Sequence, residues 1–597
     1  MMIKTRIEKL RELMKQKKIY AYIIPSADYH QSEYVGEYFK SRQFMSGFTG
    51  SAGTLVVTLD EAGLWTDGRY FIQAENELNG SDIKLFKMGE EGVPTVEKYL
   101  VEKMPKDSKL GFDGKVIGAK EGENLEKQLH FKNITIEYND DLVDHIWKER
   151  TSLPGKKAFL LGTEYTGASF SEKLSRVRDA MKEKGATAHI ITSLDDIAWI
   201  FNIRGGDIKS NPVVLSYAVI GLDNVYLFID ENKLNDEIKS ELHKENVHIK
   251  PYGEVYDFVK SFNYDEKVLL DPAKVSYAIY RNIPKDVQKI ESTNPTILFK
   301  AMKNEVELKN IRNSHIKDGI AFTKFMYWVK TNVEKMKITE MSATEKLEQF
   351  RREQDKFIEP SFSTIAAYKE HAAMMHYSAT KESDYTLEAK DLFLVDSGGQ
   401  YYDGTTDITR TIALGPISQE AQTHFTNVLR GMIRLSKAKF LHGCRGYNLD
   451  ILARGPLWDM GIDYKCGTGH GIGFVLNVHE SPNGFRWRVV PDRDDSCVLE
   501  EGMVTTNEPG VYVEGSHGIR IENELVVRKS EKNEYGQFMD FEVVTFAPID
   551  LDAVDKTLLL KDEKEYLNKY HKEVYNKIAP FLNDEEREWL KEYTREI

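Results

Sequence analysis

The chain has 597 residues, and 95 acidic against 81 basic side chains give it a formal net charge of −14, which argues against a nucleic-acid partner. Its composition, 41% hydrophobic and 29% charged, suits several packed cores and not a disordered chain. Three cysteines, Cys444, Cys466 and Cys497, cannot build a disulfide framework and fit a reducing compartment, so a cytoplasmic location is expected. No stretch approaches the ~20 apolar residues of a spanning helix, and the charged N-terminus lacks the apolar run of a secretory signal. No membrane partner is expected.

A helix followed by a strand occurs twice in gapless register, as RELMKQKKIYAYIIPSAD and, 167 positions later, as RDAMKEKGATAHIITSLD. Arg11, Met14, Ala21, Ile23, Ile24, Ser26 and Asp28 meet Arg178, Met181, Ala188, Ile190, Ile191, Ser193 and Asp195. Two N-terminal domains of one fold are inferred, with their boundary near Ser152-Leu153-Pro154-Gly155, where a proline-glycine pair punctuates the chain. GFTGSAG at 47–53 reads as a tight turn between strands. Proline punctuation between Pro284 and Pro295 precedes a long helical pattern with Leu308, Ile311, His315 and Gly319 on one face. His315 reads there as a satisfied core histidine and not a ligand. The domains are therefore 1–152, 153–296 and 297–597. From Asp391 to Val527 the pattern turns to short antiparallel strands with glycine-rich turns. The C-terminus reads as two charged helices parted at Pro580.

Four segments in the third domain concentrate groups that bind metal or move protons: LVDSGGQYYDGTTDITRT, KCGTGHGIGFVLNVHESP, TTNEPG and GIRIENELV. Asp396 closes one strand and Asp407 opens the next, and Glu508 and Glu522 repeat that arrangement. His470 sits among small neighbours in GTGHGIG, which matches neither glycine-rich phosphate-loop pattern. Alternation over Cys466, Thr468 and His470 points all three toward one cavity. Four carboxylates and an imidazole converging in a core require cations. Two divalent ions balance four carboxylates, bridged about 3.5–4 Å apart, and an oxygen-rich set favours manganese, with cobalt or zinc able to substitute. Arg520, two residues from Glu522 on the same face, is expected to support an acidic ligand.

These motifs, with HQSEY, SGFTGSAGT and LWTDGRYF in the first domain and LDDIAWIFNIRGGDI in the second, resemble the long, three-domain cytosolic form of the aminopeptidase P family, X-prolyl aminopeptidases related to prolidase and creatinase. The resemblance implies an α/β (α+β) protein with two related creatinase-like domains followed by a pita-bread catalytic domain. It implies a metal-dependent hydrolase that cuts the N-terminal Xaa-Pro bond of peptides with a dinuclear centre and a bridging hydroxide. Asp396, Asp407, His470, Glu508 and Glu522 would be the metal ligands, with Asp407 and Glu522 bridging. His376, His479 and Glu508 would be catalytic, Glu508 as proton shuttle, and His376, His479 and Arg520 would bind substrate. The expected partners are peptides with proline second and a second copy of the chain. A prolidase restricted to dipeptides and a metal-free peptide-binding module on the same fold are the alternatives. Two positions depart from the family: Cys466 stands where a histidine is usual, and Asn507 where an aspartate is.

Overall fold

The computed structural model describes residues 2–490, 493 and 495–597. The chain divides into two compact units, residues 1–161 with 168–296, and residues 162–167 with 297–597.

The first unit contains the repeated pattern as structure. Helix α1 (Ile3–Lys17) leads to strand β1 (Ala21–Pro25), and α2 (Phe170–Glu183) leads to β7 (Ala188–Ile191). In each case apolar residues at helical spacing, Ile7, Leu10 and Met14 or Leu174, Val177 and Met181, are buried. Helix α2 also carries a capping box, Ser169 against Glu172. Strands β2 (Thr54–Thr58), β3 (Ala62–Thr66), β4 (Lys84–Lys87), β5 (Lys109–Phe112) and β6 (Thr135–Glu137) complete a sheet of order β4-β3-β2-β1-β5-β6. Strands β8 (Ser216–Gly221), β9 (Val225–Ile229), β10 (Val247–Lys250), β11 (Lys267–Leu270) and β12 (Gln288–Glu291) complete a second, ordered β10-β9-β8-β7-β11-β12. The order is the same, and so is the sense of every pairing: antiparallel among β1, β2 and β3 and among β7, β8 and β9, parallel elsewhere. One correction concerns GFTGSAG. It joins the helix Ser41–Ser46 to β2, and Gly47, at φ +77°, ends that helix in the left-handed region.

The second unit opens with the long helix α3 (Glu305–Asn332), started by an Asn304–Glu307 capping box, and α4 (Glu340–Arg352). Strands β13 (Ile365–Tyr368), β14 (Leu392–Ser397) and β15 (Ile408–Ala413) form an antiparallel sheet. A larger sheet contains β16 (Gly469–Gly471), β17 (Glu480–Phe485), β18 (Val504–Asn507), β21 (Asn523–Asn533) and β22 (Gly536–Val543), and β19 (Gly510–Val513) pairs with β20 (His517–Arg520) as a separate hairpin. Helix α5 (Gln419–Ser436) and the C-terminal α6 (Lys561–Ile578) and α7 (Asp584–Tyr593) pack around one core that includes Phe425, Leu429, Ile433, Leu567 and Leu590. The two C-terminal helices part at Ala579–Phe581, as Pro580 dictates. Among the described residues no helix is long and apolar enough to cross a membrane.

Candidate metal centre

The site is assembled from the ends of strands in the second unit. Asp396 lies near the end of β14, opposite Thr409 on β15, and Asp407 immediately precedes β15. Glu508 and Glu522 flank the Asn507–Asn523 pair that joins β18 to β21. His470 is the middle residue of β16, held by its amide to Thr506 Oγ1 (3.0 Å) and through Nδ1 to the Gly471 carbonyl (3.0 Å). That second bond leaves Nε2 facing the carboxylates, 3.5 Å from Asp407 Oδ2 and 3.4 Å from Glu508 Oε1. One ligand atom each of Asp407, His470 and Glu522 lies within 4.8 Å of the others.

The carboxylates are crowded and incompletely bonded. Asp396, Asp407 and Glu522 are 8%, 4% and 1% exposed, and each has one oxygen, Oδ1, Oδ1 and Oε1, buried without a hydrogen-bond partner. Burial, and then Asp396 and Glu508, push the Asp407 carboxyl well above the ordinary range. Burial, and then Asp407 and Glu508, do the same to Glu522. Buried carboxylate oxygens without hydrogen-bond partners, two of them on residues grouped with an imidazole, are what divalent cations satisfy. The donor set fits.

The neighbours hold these groups in place. Thr409 Oγ1 donates to Glu522 Oε2 (2.7 Å), and Thr506 Oγ1 to Glu508 Oε1 (3.2 Å). Arg520 is 4% exposed; its guanidinium bonds Asp396 Oδ2, Tyr512 OH (2.7 Å) and Thr409 Oγ1 (3.2 Å). Its charge is thus spent inside the protein, beside the expected acidic partner. His479 follows the loop after His470, and the two rings meet edge to face at 4.3 Å. His376 lies in an exposed turn between Ala372 and Tyr377, both buried.

Two supports were not foreseen from sequence. Glu524, fully buried, accepts the Asp407 amide on Oε1 (2.8 Å), while its Oε2 lies 3.0 Å from Nε2 of His315 on α3. His315 is therefore a core histidine beside a carboxylate, but the expectation that it is satisfied is corrected: neither ring nitrogen makes a hydrogen bond. Glu340, at the start of α4, binds the segment that carries His376. In GIRIENELV the alternation of Glu522 and Glu524 was the available signal for the first; nothing local marks the second.

The alternation expected over Cys466, Thr468 and His470 needs correction. Pairing covers only 469–471, with a register shift between His470 and Gly471, and Thr468 Oγ1 turns into a buried cluster with Asp450 (2.5 Å) and Tyr464 (2.5 Å). Cys466 packs against the core beside Tyr512, and burial, then Glu508, push its thiol up to about 11. Asn507 donates its amide to the Met432 carbonyl (2.8 Å) and Ser436 Oγ (3.0 Å) on α5, bonds an aspartate could not donate.

Comparison with known proteins assigns the chain. Creatinase/prolidase N-terminal domain models match residues 6–143 and 149–307, metallopeptidase family M24 matches 309–529, and the C-terminal region of peptidase M24 matches 537–597. Xaa-Pro aminopeptidase 1 of Dictyostelium discoideum is 40% identical over 608 residues, covering 99% of this chain and 96% of that protein. The chain belongs to the Xaa-Pro aminopeptidase family of M24 metallopeptidases. Aminopeptidase P2 of Arabidopsis thaliana is 38% identical, over 97% of this chain and 86% of that protein. The crystal structure of the X-prolyl aminopeptidase of Caenorhabditis elegans, described as a cytosolic enzyme with a di-nuclear active site, superposes with a TM-score of 0.95 at 36% identity over 100% of both chains. Two creatinase-type domains and an M24 catalytic domain are the architecture of this family member.

Proposed function

We propose that this member of the family is itself an Xaa-Pro aminopeptidase, removing the first residue from peptides with proline second. The observation that carries the reading is the convergence of four carboxylates and His470, with orphaned oxygens on three of them, in a chain similar over its whole length to such enzymes. Asp396, Asp407, His470, Glu508 and Glu522 would hold two divalent ions, with manganese favoured by the oxygen-rich set. Bound there, such ions supply Lewis acidity toward the scissile carbonyl and a water-derived nucleophile at neutral pH.

The chain's own residues do the rest. Glu508, less buried than the other carboxylates and close to His470, takes the proton of the attacking water and returns it to the proline nitrogen, which has no hydrogen and must be protonated to leave. His479, against His470, donates to the developing oxyanion. His376 binds the peptide from its exposed turn, and Arg520 orients Asp396, which receives the substrate's free amino group and so limits cleavage to the N-terminus. A manganese-supplemented assay on an Xaa-Pro-Xaa tripeptide, an Xaa-Pro dipeptide and an Xaa-Ala-Xaa tripeptide tests this. Rapid cleavage of the first is expected. Cleavage of the dipeptide alone would make the protein a prolidase, and no cleavage at all would leave a binding module.

We further propose a cytoplasmic homodimer. Three free cysteines fit a reducing compartment. Tyr447, Ile451 and Trp458 fall on one stripe of the helix Gly446–Trp458; all three are exposed, and Trp458 stands 6.2 Å from exposed Trp487. With Met460 and Val489 also exposed, this is an apolar face of the kind a second copy covers.

A further inference from the structure

We propose that Glu340 is a positioning residue for His376, an inference that rests on the reading of His376 as a peptide-binding group. Between β13 and β14 the chain runs from residue 369 to 391 with only a short 3-10 turn, Lys369–Ala373, and no strand. Among the described residues its one backbone bridge pairs Thr386 with Thr339, next to Glu340; the rest of a connection of that length has no ladder to fix its shape.

Glu340 supplies the anchor. It is the first residue of α4, 0% exposed, and no lysine or arginine pairs with it among the described residues. Oε1 accepts from the Tyr368 amide (2.8 Å) and lies 2.9 Å from His371 Nδ1. Oε2 accepts from the Tyr377 hydroxyl (2.9 Å) and the Tyr385 amide (3.0 Å). The four partners bracket His376, two before it in sequence and two after, and Tyr377 is its immediate neighbour. The His371 ring also stacks on Tyr377 at 4.4 Å and on Tyr385 at 3.8 Å, so the carboxylate draws both arms of the loop onto one aromatic stack. Its place in the first turn of α4 suits a carboxyl group, since the helix dipole favours acidic side chains there.

The same loop touches the metal-bearing strands. The 3-10 turn packs on β20, where a Cβ at Gly518 would fall 1.8 Å from the Ala372 carbonyl, and β20 ends at Arg520, which holds Asp396. Glu340 thus fixes where His376 stands relative to the site without touching substrate itself.

Glu340→Gln keeps the size but turns an NH2 group against two donors. KM for an Xaa-Pro-Xaa peptide should rise about tenfold, with kcat and bound metal unchanged. Adding the change to His376→Ala should have less than about a twofold further effect, because the two act through one group. Tyr377→Phe, which removes one of the four Glu340 contacts along with the hydroxyl's contacts to Ser383 (3.1 Å), guards against a misfolded Glu340→Gln protein and should raise KM by a smaller factor with the same non-additivity. If His376→Ala itself leaves KM and kcat unaltered, the reading of His376 is wrong. If His376→Ala is impaired but the Glu340 and Tyr377 changes do nothing, or multiply the same factor in both backgrounds, the positioning role is wrong.

Discussion

A carboxylate that is 1% exposed with one oxygen unbonded, as Glu522 is, is stable in the charged form only beside a cation. Glu522→Ala should therefore abolish peptidase activity and lower the metal content measured by elemental analysis. It should also remove the rise in Tm that metal gives the wild type, a linkage effect of ~2.7 kcal/mol at a hundred times Kd; unchanged metal content would exclude Glu522 as a ligand. His479→Ala should lower kcat by about a hundredfold or more while leaving KM within a few-fold, because an oxyanion donor acts in the transition state. A pure KM effect in steady-state kinetics would move His479 to ground-state binding. Cys466, with its thiol held neutral by burial and Glu508, should resist iodoacetamide at pH 8 in the folded protein and react on unfolding.

At the scale of the element, what could be read from the chain depended on whether the signal was local. The paired helix–strand units at 3–25 and 170–191 were legible because each copy carries its own apolar periodicity and cap. The strand ends bearing Asp396, Asp407, Glu508 and Glu522 were legible because turns and apolar runs bracket them. GFTGSAG was misread because glycines mark a helix end as readily as a hairpin, and the local pattern did not show the helix before it. Glu340 and Glu524 were invisible as supports because their partners lie far away in sequence, at 368–385 and at 407 and 315.

Helix α6 offers a pH test at this scale. His571, 0% exposed, accepts the Ile549 amide on Nε2 (3.1 Å), which requires a neutral ring. Burial, and then Arg410, lower its pKa from 6.5 to about 3. Unfolding lets the ring take a proton below 6.5, so its contribution to stability is complete above that pH and is lost as pH falls toward 3. At about 1.4 kcal/mol per pH unit, the loss by pH 5 is roughly 2 kcal/mol. His571→Gln, which keeps an acceptor but cannot titrate, should lose correspondingly less stability between pH 7 and 5 in calorimetric melts. An identical pH dependence would show that the ring is already solvated.

For the whole molecule, the exposed stripe of Tyr447, Ile451 and Trp458 makes Trp458→Glu the change that should convert a dimer to a monomer in sedimentation velocity. A wild-type monomer at micromolar concentration would refute that surface. The central claim is that four converging carboxylates and one imidazole bind two catalytic ions, and titration of the demetallated protein tests it most directly. Manganese is added stepwise while bound metal and Xaa-Pro-Xaa cleavage are followed together. Activity should be negligible without metal and reach its plateau at two equivalents per chain; full turnover by the metal-free protein, or saturation of binding at one equivalent, would contradict the account.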